Sequence, residues 1–196
     1  MKNLIFLFVF ALVFQSCVSK KENISNEDLN VLLSNGISKY YETKNDKYLF
    51  SVYQKLSKNK DFVEQGLVGK NSFPIISLFL SLKKYDELEK LLVNNNTINK
   101  YNRLNTLNTV RYFKFNKIDK KKANFYIIES INMIKDTLNR NPKDSLLYAD
   151  YFSMRMFLVG KENVLKEIDS MQSVNKKYSD MFYNAILKNN IKNYPE

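Results

Sequence analysis

The stretch Ser72-Phe73-Pro74-Ile75-Ile76-Ser77-Leu78-Phe79-Leu80-Ser81-Leu82 runs into Lys83-Lys84-Tyr85-Asp86-Glu87 and then into Leu88-Glu89-Lys90-Leu91-Leu92-Val93. Its periodicity sets the fold class. Ser72 and Pro74 mark a helix start, because proline is tolerated in a first helical turn, where its missing N–H would have had no partner. Ile75, Ile76, Leu78, Phe79 and Leu82 follow at helical spacing and leave this helix apolar around much of its circumference, so it is expected to be central. Lys83 to Glu87 form a polar turn, and Leu88, Leu91 and Leu92 give the next helix a single apolar stripe. Two helices joined by so short a turn make a helical hairpin.

The same pattern extends in both directions. Toward the amino terminus, Ser25 with Asp28 signals a capped helix start, with Ile24 placed to staple onto Leu29. Leu29, Leu32, Leu33, Ile37, Tyr40 and Tyr41 are then expected on one face. Asn45 or Asp46 starts a second helix carrying Leu49, Val52, Tyr53 and Leu56, and Asp61 with Glu64 starts a brief third through Phe62, Val63 and Leu67, closed by Gly69. Toward the carboxyl terminus, Asn94, Asn95 and Asn96 end the quoted hairpin. A longer pair follows, first with Tyr101, Leu104, Leu107, Val110 and Phe113, then, after Asp119, with Ala123, Tyr126, Ile127, Ile131, Ile134 and Leu138. Asn141 to Asp144 break the chain before Leu147, Tyr148, Tyr151, Phe152 and Leu158. Gly160 introduces a helix with Val164, Leu165, Ile168 and Met171, and a terminal helix runs from Ser179 through Met181, Phe182, Ala185, Ile186 and Leu187. No stretch alternates as a strand does. The expectation is a single all-α domain over residues 25–196, built either as a helical-hairpin repeat of the α-solenoid kind or, alternatively, as an irregular helical bundle.

Two segments resemble tetratricopeptide repeats. In residues 72–93, Lys84 to Leu88 stand where such a repeat turns into its second helix. In residues 139–171, Pro142 occupies the inter-repeat turn, Tyr148 the first large aromatic position and Gly160 the junction of the two helices. The family's small residues are replaced by Ile76 and Leu88 in one unit and by Phe152 and Val164 in the other, so the resemblance implies a degenerate solenoid with wider or differently angled hairpins.

The leader carries a second resemblance. Met1, Lys2 and Asn3 precede the apolar run Leu4 to Phe14, which ends in Phe14-Gln15-Ser16-Cys17. As a helix that run spans roughly 16 Å, about half of a ~30 Å hydrocarbon core, too short to cross a membrane. One cation, an apolar stretch and a small residue before the cut make a secretion signal. The box resembles that of bacterial lipoproteins, although Phe14 is larger and Gln15 more polar than the usual occupants. The resemblance implies cleavage after Ser16, lipidation of Cys17 and a tether over residues 17–24. Because Val18 is not an aspartate, it also implies an outer-membrane address facing the periplasm. An ordinary secretion signal that leaves Cys17 as a free thiol is the alternative.

Composition narrows the chemistry. The chain of 196 residues has 31 Lys and Arg against 20 Asp and Glu, a formal charge of +11 that falls by one when the leader with Lys2 is removed. Only Arg103, Arg111, Arg140 and Arg155 are arginines, whereas bidentate phosphate and base readers are mostly arginine, so a solvated lysine surface is expected rather than nucleic-acid binding. Histidine is absent and cysteine occurs once. These counts remove the commonest general base and the usual zinc and iron–sulfur ligands, and with 4 glycines there is no glycine-rich phosphate loop. No catalytic residue, metal ligand or cofactor is expected.

Three side chains stand out as ligand-binding candidates. Arg111 and Arg155 lie inside strongly apolar helices, where each can grip a carboxylate or instead lay its stem on the core and pair with Asp150 or Glu129. Tyr148 is the aromatic on the last hairpin. Lys120, Lys121 and Lys122, the densest basic run, oppose the dipole of the helix they begin, which hints at lipid headgroups or another anion, or simply marks a solvated turn. Tyr40 with Tyr41 and Tyr151 with Phe152 supply either binding anchors or core. The expected function is a lipid-anchored envelope protein that binds another protein or peptide on a helical-repeat surface, without catalysis. Neutralisation of one specific partner is an alternative, and a carboxylate-dependent cell-wall hydrolase a more remote one.

Overall fold

The computed structural model describes residues 25–59, 61, 63, 66–67, 72–174 and 178–192, and among these there is no strand. The leader, Cys17, the tether and Ile24 lie outside the described residues, as do Phe62, Glu64 and Gly69. The helices are α1 (Asn26–Thr43), α2 (Asp46–Leu56), α3 (Ser72–Ser81), α4 (Tyr85–Asn94), α5 (Lys100–Phe115), α6 (Lys120–Arg140), α7 (Ser145–Val159) and α8 (Lys161–Val174). A π-helical segment, Phe182–Lys188, runs directly into the short α9 (Asn189–Lys192).

Local chemistry explains most of the boundaries. Ser25 Oγ accepts from the Asp28 amide at 3.1 Å and donates to the Asp28 carboxylate at 2.7 Å, closing the start of α1. Asn45, Asn99, Asp119 and Asp144 each accept a backbone N–H in the first turn of α2, α5, α6 and α7. Such a cap satisfies one of four otherwise unpaired amides and is worth about 1 kcal/mol. The α3–α4 turn closes with the Lys84 N–H on the Phe79 carbonyl at 2.8 Å, and Lys83 takes the left-handed position, φ 56°, that glycine usually fills. Gly160, at φ 84°, is the single residue between α7 and α8. The α4–α5 link folds around a residue expected only to end a helix: Asn95 is buried, and its Oδ1 accepts from the amides of Thr97 and Ile98.

Packing runs from neighbour to neighbour. The most extensive contacts are α5 with α6 and α6 with α7, and the remaining ones join adjacent helices or those two apart in the N-terminal and C-terminal groups. Three apolar clusters follow one another along the chain. The first joins α1 to α4 with Leu107 and Val110 of α5 and includes buried Val63 and Leu67, the Leu67 amide donating to the Val63 carbonyl at 3.1 Å. The second joins Tyr112 of α5 to Ala123, Ile127, Ile131 and Ile134 of α6 and Met154 of α7. The third joins Phe152 of α7 to Val164 and Ile168 of α8 and to Phe182, Tyr183, Leu187 and Ile191. Helix α3 is central to its cluster, with Ile75, Leu78 and Phe79 buried against α1, α2 and α4. Leu88, Phe152 and Val164, the large residues at positions where the repeat family has small ones, are all buried.

Two expected faces need correction. Tyr41, expected on the buried face of α1, is 51% exposed. The buried stripe is the narrower series Leu29, Leu33 and Gly36, and Tyr41 falls beyond its edge. In the terminal helix, Met181 and Ala185 face solvent while Tyr183 and Ile191 are buried. The π-helical turns hold more residues than α-helical ones, so the buried series becomes Phe182, Leu187 and Ile191 instead of following the 3.6-residue period.

Gly36 permits a close approach of α1 to α2. A Cβ at this position would stand 2.1 Å from Val52 Cγ2 on α2 and 3.4 Å from Val52 Cβ. Val52 is buried and β-branched, with one strongly preferred rotamer in a helix, so it yields little. An exposed Gly→Ala change in a helix gains about 1 kcal/mol, but overpacking costs about 1–3 kcal/mol and wins here. Gly36→Ala is expected to lower the urea midpoint with an unchanged slope, and Gly36→Ala with Val52→Ala to recover part of the loss.

Candidate functional site

The three singled-out side chains lie in three separate seams. Arg111, on α5, donates from Nε to Glu89 Oε1 of α4 at 2.8 Å, and its guanidinium lies 5.5 Å from the Tyr126 ring of α6. Lys114, one turn on, reaches Glu89 at 3.2 Å and Asp86 at 2.5 Å. Arg155, on α7, holds Glu167 of α8 through two hydrogen bonds, Nε at 3.2 Å and a terminal nitrogen at 2.5 Å. Tyr148 packs edge-on against Tyr178 at 5.5 Å and Phe182 at 5.9 Å.

The expected partners of the arginines, Asp150 and Glu129, are corrected to Glu89 and Glu167. Arg155 is five residues past Asp150, more than a third of a turn around α7, so the arginine faces α8 while Asp150 faces Tyr101 of α5. Glu129 is on the exposed side of α6. Both arginines therefore have their guanidinium groups engaged by a carboxylate from the neighbouring helix.

The carboxylates are tuned in opposite directions. Burial pushes Glu89 up, but hydrogen bonds from Arg111 and Lys114 outweigh it and hold the carboxyl below the ordinary glutamate range. Asp150 is raised, chiefly because burial disfavours its charge; the Tyr101 hydroxyl, at 3.4 Å, offsets this only in part. Tyr178 is pushed up to about 12 by burial and by its hydrogen bond with Tyr148. Its hydroxyl donates to the Pro142 carbonyl, beside a shallow surface hollow lined by Arg140, Asn141, Pro142, Lys143 and Asp144.

The described surface also carries an aromatic corner. Tyr41, near the end of α1, and Tyr48, in the first turn of α2, are 51% and 36% exposed. Lys44 Nζ lies 5.1 Å from the Tyr41 ring and Lys39 Nζ 5.7 Å from the Tyr48 ring. Both distances fall within cation–π range. Sequence reasoning named Tyr41 as a possible anchor and missed Tyr48, for which the nearby Lys44 and Lys47 were the available signal. By contrast, Tyr151 is half-buried and Phe152 buried, so that pair belongs to the interior.

Among the described residues no group of three acidic, histidine or cysteine side chains is placed to hold a metal ion, and no helix is long and apolar enough to cross a membrane. Comparison with known proteins finds no family model, no curated protein and no solved structure that matches the chain.

The two tuned carboxylates predict distinct pH signatures. Glu89, with a lowered pKa, contributes stability that is present above the ordinary glutamate value and lost as pH falls through its own. Asp150, with a raised pKa, costs stability above that pKa, and the cost vanishes below the ordinary value of 3.8. Glu89→Gln is expected to lower the urea midpoint at neutral pH and Asp150→Asn to raise it. Midpoints measured down an acid series should show both differences shrinking toward zero.

Proposed function

We propose that this chain is an exported, lipid-anchored protein of the cell envelope that docks another envelope protein or peptide on its helical surface and performs no chemistry of its own. The observation that carries the docking is the aromatic corner: Tyr41 and Tyr48 stand open to solvent on adjoining helices, each with a lysine within cation–π range. Tyrosine is enriched at interface hot spots because it offers a large rigid surface at low entropic cost. Helices stacked on their sequence neighbours support the solenoid form of this reading, in which the hairpins are degenerate relatives of tetratricopeptide units and the extended surface receives the partner. The leader and Cys17 support the anchor, and Val18 supports an outer-membrane address facing the periplasm. Two acyl chains hold a protein at a bilayer stably and keep its binding surface concentrated there.

The test combines a fatty-acid label with capture from solubilised envelope. The wild type is expected to take up label, Cys17→Ser to take up none, and the wild type to retain one stoichiometric protein. Tyr41→Ala with Tyr48→Ala should weaken that capture by roughly thirtyfold, a hot-spot loss of ~2 kcal/mol. Phe73→Ala, which removes an exposed ring on α3, should leave it unchanged. An unlabelled wild type overturns the anchor, and full capture by the double variant overturns the assigned surface.

A further inference from the structure

The tip of the α5–α6 hairpin brings together exposed apolar side chains and exposed lysines. Ile118, in the turn, is 81% exposed, and Phe125 and Ile128, on the outward face of α6, are 55% and 45% exposed. Ile118, Lys121, Phe125 and Ile128 recur at intervals of three and four, so the helical part of this series forms one stripe facing away from buried Ala123, Ile127 and Ile134. Lys117, Lys120, Lys121 and Lys122 are exposed around it. Among the described residues none of the four makes an ion pair. The one nearby acid in the turn, Asp119, has its carboxylate on the Lys122 amide at 2.9 Å.

The patch is held rigidly. Phe115 stacks on Tyr126 with ring centroids 6.0 Å apart, and Phe125 meets Tyr126 edge-on at 5.7 Å. Lys122 Nζ sits 3.9 Å from the centre of the Phe115 ring. Three lysines in the first turn of α6 oppose the helix dipole, and the Asp119 cap, with one negative charge, offsets them only in part. The surplus of positive charge at this tip is the kind of surface an external anion complements.

We infer that the α5–α6 tip is a docking surface for an anionic bilayer, with Ile118 and Phe125 entering the headgroup boundary and Lys117, Lys120, Lys121 and Lys122 on lipid phosphates. Apolar side chains amid basic ones are the composition of an interfacial membrane contact, where buried apolar area and attraction to anionic lipid add. Lysine rather than arginine suits this occupant, since a compact ammonium acts as a point charge on a diffuse phosphate layer and offers no fork for a carboxylate pair. The tip of a hairpin also meets a planar surface more readily than it forms the enclosed pocket in which a protein hot spot is desolvated. This contact is independent of acylation at Cys17.

The chain has no tryptophan, so a single introduced indole reports the patch without background. Full-length Phe125→Trp is mixed with phosphatidylglycerol-containing vesicles and with pure phosphatidylcholine vesicles, and Phe73→Trp on α3 serves as a reference. The expected result is blue-shifted emission and quenching by brominated lipid for Phe125→Trp on anionic vesicles alone, with Phe73→Trp unresponsive. Each Lys→Gln change at 117, 120, 121 or 122 should lower the docked-to-undocked ratio about fivefold, equivalent to ~1 kcal/mol per lysine near the surface. Equal responses on the two vesicle types, or none, overturn the inference. So does a shift that grows with protein concentration without vesicles, which assigns the patch to a second copy, or a stronger shift with polyglutamate, which assigns it to an acidic protein. Fatty-acid label on Cys17 with a silent indole overturns the patch and leaves the anchor; an indole response without label does the reverse.

Discussion

Helix α5 has to bury two faces at once, and the order of the whole stack depends on it. Leu107 and Val110 belong to the first apolar cluster, and Tyr112, with partly buried Tyr101, Phe113 and Phe115, belongs to the second. Each fully buried large side chain contributes about 1.5–3 kcal/mol, so neither face is a marginal contact. Helix α7 repeats the arrangement, giving Met154 to the second cluster and Phe152 to the third. Clusters linked through shared helices make a continuous stack. A helix with a single apolar stripe at either place would have divided the chain into separate bodies.

The ion pairs between helices act on a different level. Arg111 with Glu89, Arg155 with Glu167 and Lys188 with Asp169 each cross between neighbouring elements and are partly open to solvent. Such pairs are worth about 0–1 kcal/mol, so they select which helix faces which more than they hold the stack together. Their placement also distributes the charge. Glu89 and Glu167 are held in the seams, while the α5–α6 tip carries exposed lysines that make no ion pair among the described residues.

Helix identity was legible because period and caps agreed along most of the chain. Ser25, Asn45 and Asp119 start helices where their side chains suggest, and Leu49, Val52, Tyr53 and Leu56 form the buried stripe that spacing implies. What sequence hid follows from geometry that local pattern does not encode. The π-helical turns shift which residues are buried after Phe182, and no composition rule announces them. Asn95 reads as a helix terminator yet is the buried centre of a link. Arg111 and Arg155 were legible as unusual, but their partners depend on which neighbouring helix each faces. The lysine run at Lys120 was visible at once, whereas the exposure of Ile118 and Phe125 beside it required the fold.

Because each helix packs on neighbours in the chain, closing one contact requires only a short loop to be ordered, and the entropy of loop closure stays small. Topologies of this kind fold rapidly, since no strand or helix must wait for a distant segment to arrive. For a polypeptide that emerges progressively, by synthesis or by transport, the α1–α2 hairpin can form before α7 and α8 are present. Hairpins that follow have a finished surface to condense on, which shortens the time that the apolar faces of α3 and α5 spend uncovered.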